Sequence, residues 1–200
     1  MRRIEKLSEE GRNLALRSLN RKVYTNELFL PEPRLSPKEL SSANVVYFGG
    51  RVLTRTVSEV LHVLKQRLEM GATLRLMVLD PENETVLQQL SLRSIDAPPK
   101  FWLNGVRATE QIVQMLAENA CDKGKVELGY LPYVPSFGLV LIDPDQPHGF
   151  GFVELYPHRA IGPHPTFRIQ VADDPYWFNF FKEQFERMWQ SCQIRDFSGG

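Results

Sequence analysis

Residues 44–81 read NVVYFGGRVLTRTVSEVLHVLKQRLEMGATLRLMVLDP, and this stretch decides the fold. Val45 to Phe48 form a short apolar run closed by Gly49-Gly50, the pattern of a buried strand. Val57, Val60, Leu61, Leu64 and Leu68 then recur at helical spacing, which predicts a helix capped by Thr54 or Thr56 and running to about Met70. Gly71 stands where a helix ends with a left-handed residue. A second apolar run, Thr73–Leu79, ends at Asp80-Pro81. Strand, helix and strand joined by short connections make a βαβ unit, so the two strands are expected to be parallel neighbours.

Outward from this unit the pattern continues. Residues 82–93 and 108–121 predict helices, with a loop at 96–99 between them. Strands are expected at 126–131, Phe137–Ile142, 151–156 and 167–171, separated by Pro- and Asp-rich turns. The two middle ones read as an antiparallel hairpin. Asp174-Pro175 opens a last helix whose Trp177, Phe178, Phe181, Phe185, Met188 and Trp189 form a wide apolar face for the sheet. Upstream, residues 1–24 predict a polar helix with a narrow stripe of Ile4, Leu7, Leu14 and Val23, and Pro31 to Pro37 read as a non-helical boundary. The expected organisation is an N-terminal helix and linker over 1–39 and one α/β domain over 40–200. That domain is expected to hold a mixed sheet of about six strands with helices on both faces.

Composition narrows the function. Of 200 residues, 24 are Lys or Arg and 24 are Asp or Glu; this zero net charge argues against a dedicated nucleic-acid binder. No apolar run approaches the roughly 20 residues a membrane span requires, and the charged start is unlike a secretory signal. Cys121 and Cys192 have no CxxC or Cys/His spacing, so reduced structural thiols and a cytoplasmic setting are expected. His148, His158 and His164 match no standard metal spacing. Gly149-Phe-Gly151 lacks the rest of a phosphate loop, and Ser136 lies in no Gly-x-Ser-x-Gly frame. Neither a metal nor a cofactor is implied.

The order of elements resembles one half of a phospholipase D superfamily protein, over about residues 40–192. The resemblance rests on Tyr47-Phe-Gly-Gly50, on LRLMVLDP at 74–81, on GKVELGY at 124–130, and on the catalytic frame PSFGLVLID at 135–143. GFVELYP at 151–157 and FERMW at 185–189 are similar to degenerate members attached to bacterial regulators and defence proteins. In that frame Ser136 stands at the histidine position, Gly138 at the lysine position, and only Asp143 is kept. The family's reaction uses a histidine nucleophile and lysines that stabilise charge on the phosphoryl oxygens. Serine without a base, and glycine without a charge, replace neither. His62, His148 and His158 are not followed by a lysine two positions on.

The resemblance therefore implies a non-catalytic domain for ligand sensing, dimerisation or regulation. The alternative is a phosphodiesterase or nuclease with a rebuilt site using Asp143 and nearby histidines. Without a histidine to orient, Asp143 is expected to be structural, capping a turn or accepting backbone N–H bonds. A small anionic ligand is the expected partner, at the glycine-rich end of the first strand where a helix starts. Gly49, Gly50, Arg51, Arg55, Tyr156, His158 and Arg159 are the candidate residues. A homodimer is also expected, because catalytic members join two halves; it would bring the two Ser136/Asp143 regions together near a two-fold axis.

Overall fold

The computed structural model describes residues 28–30, 35–120 and 123–196. The expected helix over 1–24, and Cys121, lie outside the described residues. Twelve elements follow in chain order: α1 (Pro37–Leu40), β1 (Val45–Gly49), α2 (Thr54–Glu69), β2 (Thr73–Leu79), α3 (Glu84–Leu92), α4 (Pro99–Glu118), β3 (Lys125–Leu131), β4 (Phe137–Ile142), β5 (Phe150–Leu155), β6 (Thr166–Gln170), α5 (Pro175–Gln190) and β7 (Gln193–Asp196). The strands form one mixed sheet in the order β6-β5-β4-β1-β2-β3-β7. β1, β2 and β3 are parallel; β4, β5 and β6 form an antiparallel meander attached to β1.

Strand alternation builds two cores. Val46, Phe48, Leu74, Leu76 and Val78 face α1 to α4, whereas Tyr47, Met77, Leu139 and Leu141 face α5. Phe185 of α5 is fully buried and stacks on Tyr47 with ring centroids 4.6 Å apart. The βαβ reading holds, and Gly71 ends α2 with φ of 94°. Such a conformation costs a side chain bearing a Cβ and suits glycine.

Several expectations need correction. Thr54 does not cap α2; it is the first helical residue, and its hydroxyl donates to the Gly105 carbonyl at 2.8 Å. The helix expected at 108–121 begins instead at Pro99, since proline is tolerated in a first turn. Gly105 is accommodated in that helix because it lies against Val52, 3.1 Å from where a Cβ would be. Pro37 likewise opens α1 rather than extending a linker. The described residues before 40 belong to the same folded unit. Leu35 enters the core, and the Leu30 N–H donates to the Thr166 carbonyl at 2.8 Å. The seventh strand, β7, pairs antiparallel with β3. Trp177, assigned above to the buried face of the last helix, is 54% exposed; Phe178, Phe185 and Met188 do the packing.

Asp143 follows β4 and is buried, with φ of 46°. Its Oδ1 accepts from the backbone N–H groups of Asn44 at 2.8 Å and Val45 at 2.9 Å. This is the expected structural role. Removing the carboxylate strands two donors at the start of β1. Asp143→Ala should therefore lower stability by about 2–3 kcal/mol in urea denaturation. Asp143→Asn, which keeps an acceptor and tolerates positive φ, should lose less.

Candidate functional site

Because β1, β2 and β3 are parallel, their carboxyl ends share one edge of the sheet. β4 runs against β1, so its start, carrying Ser136 and Gly138, arrives at that same edge. β5 runs against β4 and delivers Glu154 and Tyr156 there. Asp143 follows the other end of β4, beside Asn44 and Val45. The structure thus does not bring Asp143 together with Ser136 and Gly138. The six residues of β4, at about 3.4 Å each, hold them apart.

The space beside Gly138 is filled by Tyr156. A Cβ at Gly138 would lie 2.5 Å from the Tyr156 hydroxyl, and one at Gly50 would lie 2.9 Å from it. The phenol is wedged between the ends of β1 and β4, and its oxygen accepts from the Arg51 backbone N–H. Burial pushes the phenol pKa well up; the Glu154 carboxylate adds to this, and Arg51 opposes it. Tyr156 therefore stays a neutral phenol. Glu154 pairs in register with Gly138 and is hydrogen-bonded through Oε1 to His164 Nδ1 at 2.6 Å. The His164 ring packs edge-on against Tyr156, with centroids 5.7 Å apart.

Arg51 lies directly over this wedge. Its guanidinium carbon is 4.0 Å from the Tyr156 ring centroid. The residue is only 7% exposed, and its Nε and Nη2 have no hydrogen-bond partner among the described residues. Burial pulls the guanidinium below the ordinary arginine range; Tyr156 and Glu154 oppose this, and Arg93 adds to it. Arg75, on β2, is the contrast. Its Nε donates to Glu127 at 3.1 Å, and its Nη1 lies 3.3 Å from the Tyr47 hydroxyl and 3.6 Å from Glu186.

Beside this edge opens a surface cavity of about 710 Å³, whose polar lining is Gln88, Ser91, Ser94, Asp96 and Arg159. The Arg159 backbone N–H donates to the Arg93 carbonyl at 2.9 Å. Arg159 and Asp96 adopt φ of 48° and 51°, a conformation uncommon outside glycine.

Of the residues selected from sequence, Gly50, Arg51 and Tyr156 meet, whereas Arg159 is exposed and lines the cavity. Gly49 does not face this site; it packs on Met77 and Phe185. Arg55 does not either, because α2 points it outward to Glu59, 3.2 Å away. His158 is exposed on the β5–β6 loop. The glycines permit close approach, as expected, but a tyrosine occupies the space. His148 lies 3.6 Å from Asp143 at the far edge, so the loop histidines do not converge. Among the described residues, no group of three His, Cys, Asp or Glu is placed to hold a metal. Nor does any helix there have the length and apolarity to cross a membrane.

Sequence reasoning missed Glu154, His164, Arg93 and Asp96. Glu154 was detectable, because in the strand expected over 151–156 it sits two residues before Tyr156 and shares its face. The others depend on loop geometry that no local pattern records.

No protein-family model matches the sequence, and no curated protein matches it. Among solved structures it is similar to TrmBL2, an archaeal chromatin protein described as showing a novel mode of DNA binding, at 13% identity and a TM-score of 0.44. The match covers 96% of this chain but 63% of that one, so this chain spans less than two thirds of that protein's length.

The wedge has a direct test. Gly138→Ala should destabilise the protein by about 1–3 kcal/mol through overpacking against the phenol. In a Tyr156→Phe background, which removes the clashing oxygen, the same change should cost markedly less. Urea melts of the double-mutant cycle read the coupling.

Proposed function

We propose that this chain is a non-catalytic, cytoplasmic domain of phospholipase D-like fold that senses a small anionic ligand at the carboxyl edge of β1. Two features support the loss of catalysis. The lysine position is taken by a tyrosine side chain of the same domain, and the retained aspartate is committed to backbone at the opposite edge.

Ligand binding is carried by one observation, the buried and unpaired Arg51 fork. A buried guanidinium whose Nε and Nη2 lack acceptors loses hydration on that edge, and a ring face against it recovers only part of the loss. An anion would supply what the fold does not. The first turn of α2, a positive dipole end, begins three residues later at Thr54.

A competing reading is a hydrolase built on the Glu154–His164 pair, where a carboxylate orients an imidazole at 2.6 Å in the manner of a general base. Turnover of a generic phosphodiester, with and without divalent cations, separates the two. We expect none, and turnover abolished by His164→Ala would overturn the non-catalytic reading. Thermal melting against a panel of small anions tests sensing. A ligand at 100 times its Kd should stabilise by about 2.7 kcal/mol, and an inert panel would count against the site. The balanced charge supports no role for nucleic acid, so duplex DNA should not bind in a mobility-shift assay at physiological salt.

Self-association belongs to the same proposal, but with a different surface. Tyr176, Trp177 and Phe180 are 72%, 54% and 41% exposed on one stretch of α5, a clustered rather than scattered apolar surface. Sedimentation at micromolar concentration should show a dimer that Trp177→Asp converts to monomer.

A further inference from the structure

We propose that residues 1–27 of this chain dock on the exposed aromatic surface of α5, formed by Tyr176, Trp177 and Phe180, and compete there with a second copy. This inference goes beyond the self-association reading above, because it names what covers that surface in the monomer.

The surface is the open end of a row of rings that starts inside the domain. Phe29 meets Phe167 of β6 with centroids 6.2 Å apart, and Phe167 meets Phe181 at 5.8 Å. Phe181 meets Phe180 at 5.2 Å, Phe180 meets Trp177 at 5.8 Å, and Trp177 meets Tyr176 at 5.1 Å. Phe29, Phe167 and Phe181 are half-buried, whereas the last three rings are exposed. Exposed aromatic surface that is contiguous rather than scattered marks a contact.

The chain reaches this row from its closed end. The Leu30 N–H donates to the Thr166 carbonyl at 2.8 Å and so fixes the chain along the edge strand β6. Phe167 packs with the core that α5 covers, so Phe29 stands on the α5 side of the sheet. Leu28, the next residue back, is exposed. Even in helical form, 27 residues reach about 40 Å at 1.5 Å each. That exceeds the four ring-to-ring steps that separate Phe29 from Trp177.

Charge and side-chain type favour this occupant. Residues 1–27 hold seven Lys or Arg and four Asp or Glu, whereas residues 28–200 hold 17 and 20. The zero net charge is thus split between a basic segment and an acidic remainder. Asp173 and Asp174 are exposed at the start of α5, beside Tyr176 in sequence. Ile4, Leu7, Leu14 and Val23 offer apolar side chains to the rings. Arg and Lys offer aliphatic stems and cations that ring faces attract. A second copy brings the same rings but also the same two aspartates, like charge against like. The segment is complementary in both respects, and its tether gives it a high effective concentration. A second copy therefore displaces it only as protein concentration rises.

Photo-crosslinking on the full chain tests this, with Trp177→p-benzoylphenylalanine and a mixture of unlabelled and isotope-labelled protein. At nanomolar concentration we expect products that join position 177 to residues 1–27 of one isotope only. At micromolar concentration these should give way to products between copies. A second full chain combines Arg17→Glu, Arg21→Glu and Lys22→Glu, and should lose most of the same-chain product. If the segment covers the surface in about nine chains of ten, freeing it should tighten the dimer about tenfold per copy in sedimentation. Products that join 177 to residues 1–27 of the other isotope at nanomolar concentration would overturn the same-chain assignment. Products between copies alone, at every concentration, would overturn the proposal and leave the dimer standing. Same-chain product with no dimer at any concentration would support the docking and sink the self-association reading instead. A charge-reversed chain that crosslinks and dimerises like the parent would remove the basic segment as the occupant.

Discussion

β1 and β4 run in opposite directions, and the rest of the architecture depends on that pairing. It joins a parallel half, β1 to β3, to an antiparallel half, β4 to β6. Each end of the junction is fastened by a different side chain. At one end Asp143 accepts the N–H groups that open β1. At the other, the Tyr156 hydroxyl fills the gap between Gly50 and Gly138. Both fasteners come from the antiparallel half, so the two halves cannot shift register without breaking one of them. A one-residue slip would also turn every inward side chain of β4 outward. The candidate site lies at the tyrosine end because strand directions reverse there, leaving side chains from β1, β4 and β5 on one edge.

The two buried-facing arginines of this sheet show how selective the site is. Arg75 sits mid-strand and is met by Glu127, Glu186 and the Tyr47 hydroxyl. Its hydrogen bond with Glu127 and the surrounding acidic groups outweigh its partial desolvation, so its pKa rises. Arg51 suffers heavier desolvation and receives one aromatic face, a neighbouring arginine and an indirect carboxylate, so its pKa falls. A stacked ring recovers about 2 kcal/mol or somewhat more when desolvated, less than the loss of hydration. The same domain therefore gives acceptors to Nε and Nη1 of the half-buried Arg75 and leaves the fork edge of the buried Arg51 without acceptors among the described residues. Packing alone does not account for that difference, since the sheet has carboxylates to spare near Arg75.

Much of the fold was legible because its signals are local. The apolar runs of β1 and β2, the helical spacing of α2 and the glycine at 71 all act within a few residues of themselves. Errors arose where tertiary contacts overrule local grammar. Pro98-Pro99 and Gly105 argue against a helix, yet α4 spans Pro99–Glu118 because Pro99 needs no N–H partner in a first turn and Gly105 fits against Val52. β7 is four residues, Gln-Ile-Arg-Asp, with no apolar alternation; it exists because β3 offers a free edge. The site was legible to a similar depth. Arg51 and Tyr156 follow from their places at strand ends. Glu154 and His164 require the β4–β5 register and the course of a ten-residue connection, neither of which is written in a single sequence. Arg55 was misplaced for a helical reason: four residues past Arg51, on α2, it points to Glu59 and solvent.

One residue type at one position links the strand junction to the proposed anion site. A lysine at 138 would have to start with a Cβ where the Tyr156 hydroxyl lies. Glycine there lets the phenol enter, and the phenol then supplies the ring on which Arg51 rests. The positive charge at this end of the sheet is thus held at the end of β1, where Arg51 is 7% exposed and rests on the ring. With one face of the guanidinium covered, the Nε and Nη2 edge is the donor still to be met, so the glycine that admits the phenol also sets the direction from which the proposed anion would be gripped.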